Sequence, residues 1–338
     1  MSRETPAVLF HPFVSGELPV PDASKRVLFL GAEPGFRLPE GFAARLSLVQ
    51  GFRPSFRTLE KAGYDVSPVP EGENYDAALV LCGRHRGENE IRLAEAVART
   101  NPGGLIVVAG GKDDGVASLR KRVGALVQID GHLPKSHGVV FWLRRPAEPG
   151  SALAGLRAEA ETGLVEGRFK TAPGMFSHDR VDPGSKLLAA NLPADLAGHL
   201  ADFCAGWGYL AAEVAARCEK VRSIDLYEAD HASLEATRRN LADSSVPLRF
   251  FWHDLADEPV KERYDAIVMN PPFHTGRQAE PSLGQAIIKA AAGALKPGGR
   301  LLLVANRQLP YERTISEHFS SLAEIAGDNR FKVIAARR

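Results

Sequence analysis

The chain has 338 residues, a length that suits two domains of ordinary size, each with its own core. Its 44% hydrophobic and 25% charged fractions are those of a globular protein, and no apolar run approaches the ~20 residues that a membrane-spanning helix needs. A net charge of +1 excludes a uniformly basic nucleic-acid binder, and the dispersed Cys82, Cys204 and Cys218 exclude a disulfide framework or a paired-cysteine zinc site.

The cysteine usage fits a reducing cytosol, and Met1 to Gly16 lacks the apolar core of a secretory signal. A cytoplasmic protein with no membrane or metal partner is expected. Any phosphate contact has to come from local basic groups such as Arg84-His85-Arg86, Arg120-Lys121-Arg122 and Arg337-Arg338. Solvated helix faces and loop ends are the plainer reading of each.

In chain order, Lys25 to Gly31 reads as a strand, but Gly31-Ala32-Glu33-Pro34-Gly35 puts a proline where a nucleoside loop needs a backbone N–H. Tyr75 to Val80 is a second apolar run. A helical stretch over Ile91 to Arg99 follows, then the turn Asn101-Pro102-Gly103-Gly104 and the strand Leu105 to Ala109. The breaker-rich Arg145 to Ser151 opens a linker expected to run to Arg168, dividing the chain into domains 1–168 and 169–338.

The second half repeats the first. Tyr264-Asp265-Ala266 matches Tyr75-Asp76-Ala77, a helix is expected over Leu283 to Leu295, and Lys296-Pro297-Gly298-Gly299 leads into Arg300 to Ala305. Strand, helix, turn, strand is a βαβ unit and implies parallel neighbours, so the chain reads as a duplicated α/β fold. From Tyr to Pro-Gly-Gly the second copy spans 33 residues against 27, and the surplus falls near Asn270-Pro271-Pro272-Phe273-His274. The N-terminal copy therefore looks degenerate and the C-terminal copy looks like the working one.

Within the working copy, strands are expected to end at Asp202-Phe203, at Glu228, before His253-Asp254 and at Met269, with helices over Tyr209 to Arg217 and Asp230 to Leu241. Such a sheet binds ligands beyond the carboxyl ends of its strands. Gly206 and Gly208 let the backbone pass close to a nucleoside. Asp202 is placed to receive a cationic amine. Glu228, 26 residues on, is placed to accept two ribose hydroxyls, and Asp254 to accept from an adenine amino group. Three acids at successive strand ends favour a positively charged adenosyl ligand over a pyrophosphate.

Asn270-Pro271-Pro272-Phe273 is the sharpest motif. Two prolines fix the backbone and remove donors, leaving the Asn270 amide oxygen and the Pro271 carbonyl as fixed acceptors. Together they suit the two hydrogens of a planar amino group, whose nitrogen is then aimed at an electrophilic methyl, while Phe273 offers a stacking face for an unstacked base. Alignment supplies most of the rate, so no strong general base is needed. Asp225 reads as structural. Trp207 reads as a packing residue or a cover for the adenosyl group, Phe176 as a cofactor cover or a core anchor, His274 as a polar loop residue, and Arg307 as a minor candidate for phosphate.

On these residues, about Phe176 to Lys332 resembles the class I methyltransferases, and specifically the RsmC-like family of ribosomal RNA guanine-N2 methyltransferases. The likeness is carried by Phe176-Ser177-His178-Asp179, Asp182-Pro183-Gly184-Ser185-Lys186-Leu187-Leu188, the Asp202 to Gly208 loop, Asn270-Pro271-Pro272-Phe273-His274, Val304-Ala305-Asn306 and Arg330-Phe331-Lys332-Val333. It implies two tandem Rossmann-like methyltransferase domains, the first degenerate and serving RNA docking or structural support. It implies S-adenosylmethionine held by Asp202, Ala205, Gly206, Gly208, Glu228, Asp254 and Asn270. Asn270, Pro271, Pro272 and Phe273 would act at the N2 of a guanine in small-subunit 16S rRNA. Ribosomal RNA or the small subunit is the implied partner, and a monomer is expected. The family loop reads Asp-x-Gly-x-Gly-x-Gly, whereas Cys204 stands here at the first glycine. The same strand-end motif serves adenine-N6 and protein-glutamine methyltransferases, and a non-catalytic RNA-binding assembly factor is the further alternative.

Overall fold

The repeated Tyr-Asp-Ala strands occupy equivalent places in two seven-stranded sheets with the same strand order. The computed structural model describes residues 5–158, 163–272, 274–275, 278–279 and 281–338. The chain divides into two units: Met1–Thr162 with Ala172–Gly174, and Gly163–Thr171 with Met175–Arg338.

The first unit runs α1 (Thr5–Val14), β1 (Arg26–Leu30), β2 (Arg45–Val49), α2 (Arg53–Lys61), β3 (Val66–Ser67), β4 (Tyr75–Leu81), α3 (Arg86–Arg99), β5 (Thr100–Gly111), α4 (Val116–Gly124), β6 (Gly131–Lys135), β7 (Gly138–Arg144) and α5 (Gly150–Arg157). Its sheet order is β3-β2-β1-β4-β5-β7-β6. The first five strands are parallel, and β7 and β6 return antiparallel. Both faces are covered, so the central strands are almost continuously apolar. Alternate residues serve opposite layers. Val27 and Phe29 pack with Leu9 and Phe10 of α1, while Leu28 and Leu30 pack with Leu93 and Val97 of α3.

The second unit runs α6 (Pro183–Ala190), β8 (Ala197–Phe203), α7 (Tyr209–Arg217), β9 (Lys220–Glu228), α8 (His231–Asn240), β10 (Leu248–Trp252), β11 (Tyr264–Met269), β12 (His274–Thr275), β13 (Gln278–Ala279), α9 (Pro281–Ala294), β14 (Leu295–Asn306), α10 (Tyr311–His318), β15 (Ser321–Gly327) and β16 (Phe331–Arg337). Its order, β10-β9-β8-β11-β14-β16-β15, matches the first sheet position for position, again with five parallel strands and two antiparallel ones.

The repeated residues have a shared physical job. Asp76 accepts the Arg26 N–H at 2.9 Å, and Asp265 accepts the His199 N–H at 2.8 Å, so each carboxylate ties the amino end of β4 or β11 to the neighbouring strand. The register slips at the same place in both sheets, between Tyr75 and Ala77 and between Tyr264 and Ala266. Gly103 and Gly298 then take φ of 74° and 75°, which favours glycine. The Pro-Gly-Gly turns therefore lie inside β5 and β14 rather than before them, because pairing starts ahead of the turn and resumes after the slip.

One expectation changes. The stretch read as a linker contains α5, whose Ala152 and Leu156 are buried. A Cβ on Gly155 would stand 2.7 Å from Leu126, so this glycine permits packing rather than breaking the chain. The surplus of the second copy lies between β11 and α9, where β12 and β13 pair antiparallel. Among the described residues, no helix is long and apolar enough to cross a membrane, and no group of three or more His, Cys, Asp or Glu is arranged to hold a metal ion.

Candidate active site

β8 delivers the chain into a loop that is left-handed at three alternate residues: Cys204 (φ 63°), Gly206 (56°) and Gly208 (94°). The loop is pinned on both sides. The Ala205 N–H donates to Tyr227 O at 3.0 Å, and the Gly206 N–H donates to Glu228 Oε2 at 2.8 Å. Thr237 Oγ1 donates to Gly206 O at 2.7 Å, and Asn240 Nδ2 donates to Trp207 O at 2.9 Å. A Cβ on Gly206 would meet nothing within 4 Å, whereas one on Gly208 would stand 2.8 Å from Thr237 Cγ2. Gly206 therefore keeps space open and Gly208 lets the loop close on α8. Cys204 holds a left-handed conformation that disfavours an L side chain by ~1–2 kcal/mol. Packing of its side chain against the core offsets part of this.

Two carboxylates lie under this loop. Asp202 is fully buried. Its Oδ2 accepts the Ala211 N–H at 3.0 Å, at the start of α7, and its Oδ1 has no partner. Burial, reinforced by Glu228, pushes its pKa up to about 8. Glu228 accepts the Gly206 N–H on one oxygen and the Asp230 N–H at 2.9 Å on the other, and burial raises its pKa to about 7. Among the described residues neither acid is paired with a lysine or arginine. An unpaired acidic couple in a low-dielectric setting favours a positive ligand.

At the tip of β11, Asn270 Nδ2 donates to Asp182 Oδ2 at 3.0 Å and to Ser185 Oγ at 2.9 Å. Asp182 is the N-cap of α6 and accepts the Ser185 N–H at 2.8 Å, with Pro183 in the first turn. The amide oxygen is the remaining polar atom of Asn270. Pro271 is buried and Pro272 exposed, while Phe273 lies outside the described residues.

A narrow cavity of about 40 Å³ separates these two pieces. Asn270, Asp182 and Ser185 line one side, Cys204, Ala205, Gly206 and Trp207 the other, with Phe176, Ser177, Tyr209 and Leu210 completing it. Of the expected site residues, Ala205, Gly206 and Asn270 line the cavity. Asp202, Gly208 and Glu228 stand behind the loop and shape it. Asp254 is buried and its Oδ1 accepts the Ala256 N–H at 3.1 Å in the turn after β10. Residue-type reasoning had given no role to Asp182, Ser185, Tyr209 or Leu210. For Asp182 and Ser185, the Asp-Pro-Gly-Ser helix start was the legible signal.

Trp207 packs on Phe169 at 5.1 Å between ring centroids, donates its indole N–H to Phe176 O at 2.9 Å, and also lines the cavity. Phe176 is 56% exposed, so it is a rim residue rather than a core anchor. Asp225 is structural, bound by Arg249 and by the Tyr264 hydroxyl. Arg307 is held by Glu324 and by the carbonyls of Asp328 and Phe331, which locks it into the β15–β16 turn. The side chain of His274 lies outside the described residues.

The matching edge of the first unit is tied off by its own side chains. Arg92 donates to Leu81 O at 2.8 Å and pairs with Glu88. A Cβ on Gly31 would stand 2.6 Å from the Arg92 guanidinium. Gln50 Nε2 donates to Ala32 O at 2.7 Å, and Asn89 bonds both N–H and C=O of Gly83.

Residues 166–335 match the family model for the methyltransferase small domain. A ribosomal RNA small subunit methyltransferase C of Pseudomonas aeruginosa (strain UCBPP-PA14) is 32% identical over 310 residues, covering 87% of this chain and 91% of that protein. Its counterpart in Salmonella newport (strain SL254) is 30% identical over 269 residues, covering 79% and 77%. The T. thermophilus 16S rRNA N2 methyltransferase, solved in complex with AdoMet and guanosine, has the same fold: TM-score 0.77, 24% identity, 97% of this chain and 91% of that one covered.

Proposed function

The chain belongs to the ribosomal RNA small subunit methyltransferase C family, and from that premise we propose that it methylates the exocyclic N2 of a guanine in small-subunit ribosomal RNA, using S-adenosylmethionine. The observation that carries the chemistry is Asn270, whose amide nitrogen is bound by Asp182 and Ser185 so that its oxygen is left for a donor. The residues present suit the cofactor. The partnerless Oδ1 of Asp202 and the proximity of Glu228 favour a cation, and the bare face of Gly206 leaves room for a nucleoside. When bound, S-adenosylmethionine supplies an electrophilic methyl group on a sulfonium centre.

In this reading Ala205, Gly206 and Gly208 form the cofactor loop, with Asp202, Glu228 and Asp254 as its acidic partners. Asn270 Oδ1 and the Pro271 carbonyl accept the two amine hydrogens, Pro272 stiffens the turn, and Phe273 stacks on the base. Orientation lowers the barrier, and the amine proton passes to water without a dedicated base. The first unit serves RNA docking or structural support, and the protein acts as a cytoplasmic monomer.

The test is transfer of labelled methyl to rRNA, or to small subunits, from cells lacking the protein, with mass-spectrometric mapping of the product. Label in guanine N2 is expected. Label in DNA adenine or protein glutamine instead would redirect the substrate. Asn270→Ala is expected to lower the rate by ~10³-fold while cofactor affinity stays within about twofold. The left-handed Cys204 favours one alternative, a non-catalytic assembly factor, and calorimetry showing no S-adenosylmethionine binding would support it.

A further inference from the structure

We infer that Asp182 and Ser185 are positioning residues that set which end of the Asn270 amide faces the cavity; this rests on the function proposed above. A side-chain amide has a donating end and an accepting end of nearly equal size, and its fixed neighbours decide between them. Asp182 Oδ2, 3.0 Å from Asn270, accepts only, so the amide nitrogen must face it. Ser185 Oγ takes the second N–H at 2.9 Å. With both hydrogens engaged, the oxygen is turned toward what occupies the cavity, and all three residues line that cavity.

The arrangement exceeds what helix α6 requires. An N-cap needs one acceptor for the N–H three residues on, and serine fills that role about as well as aspartate. Here a single carboxylate oxygen serves both the Ser185 N–H, at 2.8 Å, and an amide 88 residues away. Ser185 is 8% exposed, so its hydroxyl is committed to this buried contact. Gly184 keeps the helix start close, since a Cβ there would stand 3.0 Å from Asp182 Oδ2 and 3.1 Å from the Phe331 ring. The site is thereby built to accept from an amine and to repel a carbonyl oxygen presented in its place.

Asp182→Ser separates the two roles, because serine keeps the cap while its hydroxyl, able to donate as well as accept, no longer dictates which end of the Asn270 amide faces it. Melting temperature and S-adenosylmethionine affinity are expected to stay near wild type. The single-turnover rate on unmethylated rRNA is expected to fall ~10–100-fold, with the KM for RNA little changed, as misorientation of a substrate-gripping group does. Ser185→Ala, which leaves the cap intact, is expected to lower the rate less, and it is the variant to rely on should Asp182→Ser fold poorly. The decisive measurement is a double-mutant cycle. In an Asn270→Ser background, Asp182→Ser is expected to add less than about twofold. Full activity of both single variants, or an equal loss from Asp182→Ser in both backgrounds, overturns the inference. The same cycle runs on whichever amine substrate the wild type labels, so a failed rRNA assignment is distinguishable from a failed positioning role.

Discussion

Raising the pH of the cofactor-free protein from about 6 to about 9 should destabilise its second unit, and Asp202→Asn should remove most of that effect. The folded pKa values of Asp202, about 8, and Glu228, about 7, lie above the ordinary 3.8 and 4.5. A carboxyl raised in this way keeps its proton in the folded chain after the unfolded chain has released it. Folding therefore binds protons, and stability is lost as pH climbs from the unfolded pKa to the folded one. By about pH 6 each acid has already spent part of that loss. Between pH 6 and 9 Asp202 gives up a further ~3 kcal/mol and Glu228 ~1 kcal/mol, at ~1.4 kcal/mol per pH unit. For a unit of this size ~4 kcal/mol corresponds to a fall of roughly 10 °C in melting temperature. The amide in Asp202→Asn still accepts the Ala211 N–H but does not titrate, so the fall should shrink to the ~1 kcal/mol of Glu228. Scanning calorimetry, or fluorescence of Trp207 and Trp252 in the second unit, reads the transition. A variant that loses as much stability as wild type, or a wild type that gains stability with pH, would refute the assignment of a protonated buried acid.

The same acids predict that S-adenosylmethionine binding near pH 7 releases a fraction of a proton, seen as a buffer-dependent enthalpy in calorimetry; identical enthalpies in two buffers would argue against a cation near Asp202. Gly208→Ala is expected to destabilise the protein by ~1–3 kcal/mol, because a Cβ meets Thr237 in a left-handed residue, and chemical denaturation measures it. Titration with S-adenosylmethionine is expected to saturate at one per chain, since Arg92 and Gln50 tie off the matching edge of the first unit; two sites would contradict that.

Much of the second unit is legible in the residues. The helix Tyr209–Arg217 and the strand ends at Phe203, Glu228, Trp252 and Met269 appear in the structure as read, because a buried parallel strand is a plain apolar run and an alanine-rich helix declares itself. The antiparallel returns are harder. β15 carries mostly exposed residues with no clean alternation, and α1 is apolar around its circumference with Pro12 inside it. α5 is hard to read because the breakers Pro146, Pro149 and Gly150 crowd its start, while Gly155 inside it serves packing against Leu126 and not a turn. At the site, strand-end residues could be placed by counting. Whether an acid faces ligand or backbone is decided by neighbours distant in sequence. Asp254 illustrates this by bonding its own turn, and Asp182 by meeting Asn270 across 88 positions.

The Asp76 and Asp265 clasps carry a consequence for how such a duplicated fold changes. Each fastens its sheet at the amino ends of the strands, the end away from the cavity. Strand register is thus anchored at one pole, which frees the other to lengthen a loop, admit a cysteine or seal a cleft with an arginine. Exchanging the segment after β4 for the one after β11 should therefore alter ligand capacity while leaving the pairing of the five parallel strands intact.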